Sequence, residues 1–154
     1  MPKTTSLIIF LTISLLIYLF IKLFIFRSST AATITQKIKE QNFTLEIANT
    51  PYLLAKGLSG RDSLCPTCGM LFIFKSEKIQ TFWMKDTLIP LDIIFLKESG
   101  QITDIYTALP EPGKSDFQLT IYQSTAPIQS VIELNAGTAK KLNLQIGDIV
   151  KPSI

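Results

Sequence analysis

The chain has 154 residues, with 15 basic and 12 acidic side chains and a formal charge of +3. Lys3, Lys22 and Arg27 lie in or beside an N-terminal apolar stretch, so residues 28–154 carry 12 charges of each sign, and no basic field is available to hold a nucleic acid. There is no histidine, which removes the commonest general base near neutral pH and the commonest transition-metal ligand; no metal and no cofactor is expected.

Residues 1–6 form a short tail. Leu7 to Phe26 is apolar except for Thr12, Ser14 and Lys22. As a helix it would be about 30 Å long, one bilayer core. Lys22 lies near one end, where its ammonium can reach the interface while its stem stays in lipid. A cleaved signal peptide is the competing reading, with Thr30-Ala31-Ala32 as the small residues. The apolar run is longer than a usual signal core, so residues 7–26 are expected to be an uncleaved anchor whose partner is the lipid bilayer. Positive charges near the two ends give no clear N-in signal and lean slightly the other way. A short tail followed by an apolar run resembles an export signal, so a single-pass membrane protein with its domain outside the cytoplasm is expected. Residues 27–40 are small and polar and read as a stalk, leaving residues 41–154 as the domain. Asn42-Phe43-Thr44 is a glycosylation sequon.

Phe43 to Ile47 alternates apolar and polar residues, the pattern of a half-buried strand. Thr50-Pro51 reads as a helix start and Gly57 as its stop, which predicts a short helix over Pro51 to Lys56. A loop carrying Cys65-Pro66-Thr67-Cys68 follows. Met70 to Phe74, Gln80 to Met84 and Leu91 to Leu96 are predicted strands, with Lys75 to Lys78 as a polar turn after the first. The third is near-continuously apolar and should be covered on both faces. Glu98-Ser99-Gly100 predicts a hairpin into Ile102–Leu109. Residues 110–116 read as an exposed loop, and Phe117 to Tyr122 and Ile128 to Leu134 as further strands. Thr138 is the expected cap of a short helix ending near Leu142, and Ile149 to Lys151 a last strand. The count predicts a mainly β, compact single-domain β-sandwich or barrel-like fold with two short helices, preceded by one transmembrane helix.

Four ordered motifs carry a family resemblance. They are Gly57-Leu58-Ser59-Gly60-Arg61, Gly69-Met70-Leu71-Phe72-Ile73-Phe74, Phe82-Trp83-Met84-Lys85-Asp86-Thr87 and Ile89-Pro90-Leu91-Asp92-Ile93. With Glu133-Leu134, Ala136-Gly137 and Gly147-Asp148, they resemble the domain of unknown function family numbered 192 over roughly residues 43–151. The resemblance implies a single, mainly β domain of sandwich type, and an N-terminal export signal or anchor, which many members carry. It implies no activity. The Cys-Pro-Thr-Cys insert departs from the family pattern, so nothing carries over to Cys65 and Cys68.

Those two cysteines read first as a local structural disulfide, reasonable outside the cytoplasm. The alternative is a redox dithiol, although the pair precedes a strand instead of opening a helix. Two sulfurs without a histidine leave a zinc shell half empty. Trp83 stands between Phe82 and Met84, so alternation gives it the opposite face, open to a groove. Arg61, Lys85, Asp92 and Glu133 are charges in apolar or motif-like surroundings and must pair or titrate abnormally. One reading is an ion-pair network that fastens loops to the core. Another is a binding cluster with Trp83. A third uses Asp92 and Glu133 as an acid/base pair. The expected function is a membrane-anchored, extracytoplasmic β-domain that binds a small ligand, an envelope component or a protein partner. A carboxylate-dependent hydrolase and a redox accessory protein are the alternatives.

Overall fold

The computed structural model describes residues 11–20 and 31–152. The chain divides into two units, Met1–Thr30 and Ala31–Ile154. In the first, residues 11–20 are helical (α1), and all ten are exposed. No helix among the described residues is long and apolar enough to cross a membrane. The ends of the expected anchor, residues 7–10 and 21–26, lie outside the described residues.

The second unit runs β1 (Thr33–Ile38), β2 (Gln41–Ala48), α2 (Pro51–Lys56), β3 (Cys68–Lys78), β4 (Thr81–Phe82), β5 (Leu91–Leu96), β6 (Ile102–Ala108), β7 (Tyr122–Gln123), β8 (Ile128–Asn135) and α3 (Thr138–Lys141). The expected stalk is corrected by β1, which pairs antiparallel with β2 along its whole length. Ile34, Gln36 and Ile38 turn inward while Thr33, Thr35 and Lys37 face out. The period of two was hidden because one inward position is a glutamine. Gln36 is buried, and its Nε2 donates to the Lys37 and Lys151 carbonyls.

Six strands form one sheet in the order β1-β2-β3-β8-β5-β6, and β4 and β7 form a separate pair. This replaces the expected sandwich or barrel with one six-stranded mixed sheet and a small second pair. The reason lies between β2 and β3, which pair in parallel. Parallel neighbours need a crossover, and α2 with the loop after it supplies one. The crossover covers one face, and the C-terminal segment covers the other, so both faces of one sheet are buried. On the first face, Leu71, Ile94, Ile132 and Leu134 pack with Ala139, Leu144 and Val150. On the second, Met70, Phe72, Ile93, Phe95 and Val131 pack with Leu58 and Met84, and Leu53, Leu54, Phe82 and Tyr122 close over them. Successive residues of β5 alternate between the two clusters, and all six are buried, as the near-continuous apolar run predicts.

Several local expectations are revised. Lys75 to Lys78 continues β3 instead of turning, and the strand expected over Gln80 to Met84 shrinks to Thr81–Phe82. Residues 117–121 form no strand: Asp116–Gln118 is a 3-10 turn whose Gln118 side chain accepts from the Ser115 N–H, Phe117 is fully exposed, and only Tyr122–Gln123 pairs. The last strand reduces to one bridge between Gln101 and Ile149. Thr138 is the first helical residue and makes no side-chain cap; Gly137, at φ 85°, precedes it. A positive φ suits glycine, and a distant carboxylate replaces the cap, since Asp92 accepts from the Ala139 N–H at 2.8 Å.

Candidate functional site

The second face of the sheet holds a pocket of about 490 Å³, roofed by α2 and flanked by β4 and the turn after it. Its position follows from the crossover, which lays Leu54, Ala55 and Lys56 over the centre of the sheet. Thr50 starts α2 by accepting from the Leu53 N–H at 3.3 Å, with Pro51 at the first helical position. Gly57 ends it at φ 49°, where a Cβ would stand 3.3 Å from the Phe72 ring. The Gly60 N–H donates to the Asp86 carbonyl at 2.8 Å and ties the crossover to the turn Met84–Thr87. That turn is closed by the Thr87 N–H on the Met84 carbonyl, with Asp86 at φ 51°.

Aromatic side chains form the walls. Phe72 and Phe74 alternate along β3 onto this face. Phe82 meets Phe72, Phe74 and Phe95 edge to face, at centroid distances of 5.0, 6.4 and 5.6 Å. Trp83 stands at the mouth, 44% exposed, with the Lys85 ammonium 5.6 Å from its ring centroid.

Glu133 lies in the floor. It sits on β8, the strand between β3 and β5, opposite Met70 and Ile93. It is only 5% exposed and lines the pocket. Its carboxyl makes no hydrogen bond or ion pair with any described residue. Burial, with nothing to offset it, pushes the carboxyl up to about 8. The group is therefore mostly a neutral acid at pH 7, able to donate a proton or to ionise against an arriving cation.

The other singled-out charges are held elsewhere or at the rim. Lys85 lines the pocket and pairs with Asp116, whose hydrogen bond raises the lysine pKa. Arg61 is outside the lining. Its guanidinium donates to both oxygens of Glu46 at 2.5 and 2.7 Å. That hydrogen-bonded pairing lowers the glutamate pKa and raises that of the arginine. Asp92 is completely buried on the opposite face, where it accepts from the Thr107 hydroxyl at 2.7 Å and the Ala139 N–H. The structure thus brings Trp83, Lys85 and Glu133 together and leaves Arg61 and Asp92 out. An acid/base pair of Asp92 and Glu133 is ruled out because the sheet stands between them. Sequence reasoning missed Glu46 and Asp116 as partners, and Phe72, Phe74 and Asp86 as lining. The alternation of Phe72 and Phe74 about Ile73 was the one usable signal.

The family model described as Uncharacterized ACR, DUF192, matches residues 32–152. The chain belongs to this family. The match begins just before β1, which makes that strand part of the DUF192 domain. A solved protein of Sinorhizobium meliloti 1021, named as a candidate transcription regulator, is 33% identical. That likeness covers 79% of this chain and 95% of that one, with a TM-score of 0.69. A protein of unknown function from Novosphingobium aromaticivorans DSM 12444 is 31% identical over 77% of this chain and 83% of its own, with a TM-score of 0.65. No curated protein matches the chain.

Cys65 and Cys68 lie outside the pocket of this DUF192 domain, with their sulfurs at bonding distance, 2.12 Å. The Asn135 amide donates to the Leu64 and Cys65 carbonyls and holds their loop to the end of β8. Among the described residues, no group of three or more His, Cys, Asp or Glu is placed to hold a metal ion.

Proposed function

We propose that this DUF192 domain is a membrane-anchored, extracytoplasmic binding module that takes a small ligand in the pocket between α2 and the turn Met84–Thr87. One observation carries the reading: Glu133 is almost fully buried, and its carboxyl, with no hydrogen-bond partner among the described residues, meets the accessible space of a pocket walled by aromatic rings. A buried carboxyl with no partner is unfavourable for folding alone, and a ligand that bonds to it offsets that cost. A pocket with apolar walls and one or two placed polar groups suits a small molecule. The space falls within the usual size range, roughly 300–1,000 Å³. The anchor reading rests on the apolar run Leu7–Phe26, of which residues 11–20 are helical with apolar side chains exposed all round. The near-balanced charge of residues 28–154 speaks against carrying over the regulator name of the Sinorhizobium neighbour as nucleic-acid binding.

Native mass spectrometry of the full chain, extracted from its own membranes, tests binding. A small molecule should be retained and should be lost in Trp83→Ala. Protein free of any bound species, with fluorescence of its sole tryptophan unchanged by membrane extracts, would end the binding reading. Protease added to intact spheroplasts tests orientation: the domain should be digested, and full protection reverses the assignment.

A further inference from the structure

We infer that the ligand of this pocket is a small organic cation, an amine whose ammonium seats on the Glu133 carboxylate and whose apolar stem lies among Phe72, Phe74, Phe82 and Trp83. The inference rests on the binding reading above and adds the ligand's charge.

Three observations point to positive charge. Glu133 is 95% buried by its 5% exposure, and nothing in the domain neutralises it. The other charged groups lining the pocket are Lys56 on α2 and Lys85 and Asp86 on the turn, and the Glu46–Arg61 pair stands on the same face two strands from Glu133. Each lysine is engaged away from the floor, Lys56 over the Tyr52 ring at 5.9 Å and Lys85 on Asp116 beside Trp83. Met70 and Ile93, its neighbours on β3 and β5, carry no charge. The floor therefore lacks the one group that would let the carboxyl ionise. An arriving ammonium supplies it, forming a charge-assisted hydrogen bond beside the aromatic walls.

The walls add to this preference. Aromatic rings attract a cation through their electron-rich faces, and the attraction grows when the cation is desolvated. An anion gains nothing from such rings, and it keeps the acid protonated, so it meets only a neutral hydrogen-bond donor. A neutral ligand can accept a hydrogen bond from the protonated acid, but it leaves the cation attraction of the rings unused.

The proton balance gives the test. At neutral pH the free acid holds its proton; binding of R–NH3+ converts it to the carboxylate, and the proton passes to buffer. Wild-type protein is titrated with methyl-, butyl- and benzylammonium and with the matching alcohols. Trp83 fluorescence reads binding, and calorimetry in buffers of different ionisation enthalpy reads proton release. The expected result is that at least one amine binds more than tenfold better than its alcohol. It should release close to one proton at pH 7 and lose more than tenfold in affinity in Glu133→Gln. Amine and alcohol binding alike, with no proton release, would overturn the cation and leave the pocket as a binding site. Binding of none of the probes, together with no retained molecule in native mass spectrometry, would overturn both. Proton release is measured on the wild type, so the answer stands even if Glu133→Gln folds poorly.

Discussion

Asp92 and Glu133 sit on paired strands one register position apart, yet their side chains leave opposite faces of the sheet. Asp92 pairs across to Leu134 and Ile93 to Glu133. A shift of one residue along a strand exchanges the two faces, so two carboxylates close along the backbone serve separate purposes. Asp92 ends in two hydrogen bonds, whereas Glu133 ends in a pocket.

Asp92 is a fastener, and its loss should register in stability alone. Its carboxylate is the partner of both the Thr107 hydroxyl and the Ala139 N–H, and it joins β6 and α3 to β5. Asp92→Ala strands a buried N–H and removes a charge-assisted bond. Such losses cost about 2–4 kcal/mol, which urea denaturation resolves. The Trp83 emission of the folded variant should match that of the wild type, because the sheet separates Asp92 from the pocket. A changed emission spectrum with unchanged stability would contradict this assignment.

Glu133 should make stability fall as pH rises. Its folded pKa of about 8 lies above the ordinary value of 4.5, so between these values the folded state binds more protons than the unfolded one. Stability is then complete below the unfolded pKa and is lost as pH climbs toward the folded one. The slope is about 1.4 kcal/mol per pH unit, on the order of 5 kcal/mol across the window for the ligand-free protein. Glu133→Gln removes the proton linkage. The difference between wild-type and variant urea midpoints should widen in the variant's favour from pH 5 to pH 8. Parallel curves would show that the carboxyl is solvated or paired.

Much of the frame could be read directly from residue patterns, because it rests on local signals. Alternation in Phe43 to Ile47, the Thr50-Pro51 start with its Gly57 stop, and the unbroken apolar run Leu91 to Leu96 each specify an element by themselves. The sheet order is a long-range property: nothing near Met70 announces that β8 will pair beside it. The same holds for the charges. Arg61 reads as a candidate site residue until the fold brings Glu46 of β2 to its loop. Short apolar stretches misled most, since Phe117 and Ile121 suggest a strand while the capped turn at Ser115 prevails. Glu133 could be marked as an odd charge in an apolar run. Which face it left, and therefore its purpose, depended on pairing.

Gly69 is expected to admit no side chain. A Cβ there would lie 2.4 Å from the Glu133 carbonyl oxygen and 2.6 Å from a Leu134 methyl. The nearer atom is backbone of the central strand, so relief requires moving β3 from β8. Overpacking of this kind costs about 1–3 kcal/mol when side chains can yield and more when backbone must. Gly69→Ala should therefore lower stability by at least 3 kcal/mol or prevent folding, an order-of-magnitude expectation. Gly113→Ala is the control, with φ +77° and nothing within 4 Å of the added carbon. It carries only the left-handed backbone penalty, about 1–2 kcal/mol. Similar melting shifts for the two variants would refute the close approach.

The Cys65–Cys68 pair should act as a staple on the loop entering β3, without effect on the pocket. Cys65 and Cys68 are three residues apart, so a bond between them closes a very short loop. In the chain-entropy account a loop of this size stabilises by about 2 kcal/mol. Asn135 already anchors the loop through the Leu64 and Cys65 carbonyls, which limits the loss further. Cys65→Ser with Cys68→Ser should melt a few degrees lower and bind pocket ligands with unchanged affinity. The same shift should follow mild reduction of the wild type. A variant of unaltered stability that loses its biological activity would instead assign the pair to thiol chemistry, because a staple acts only through the fold.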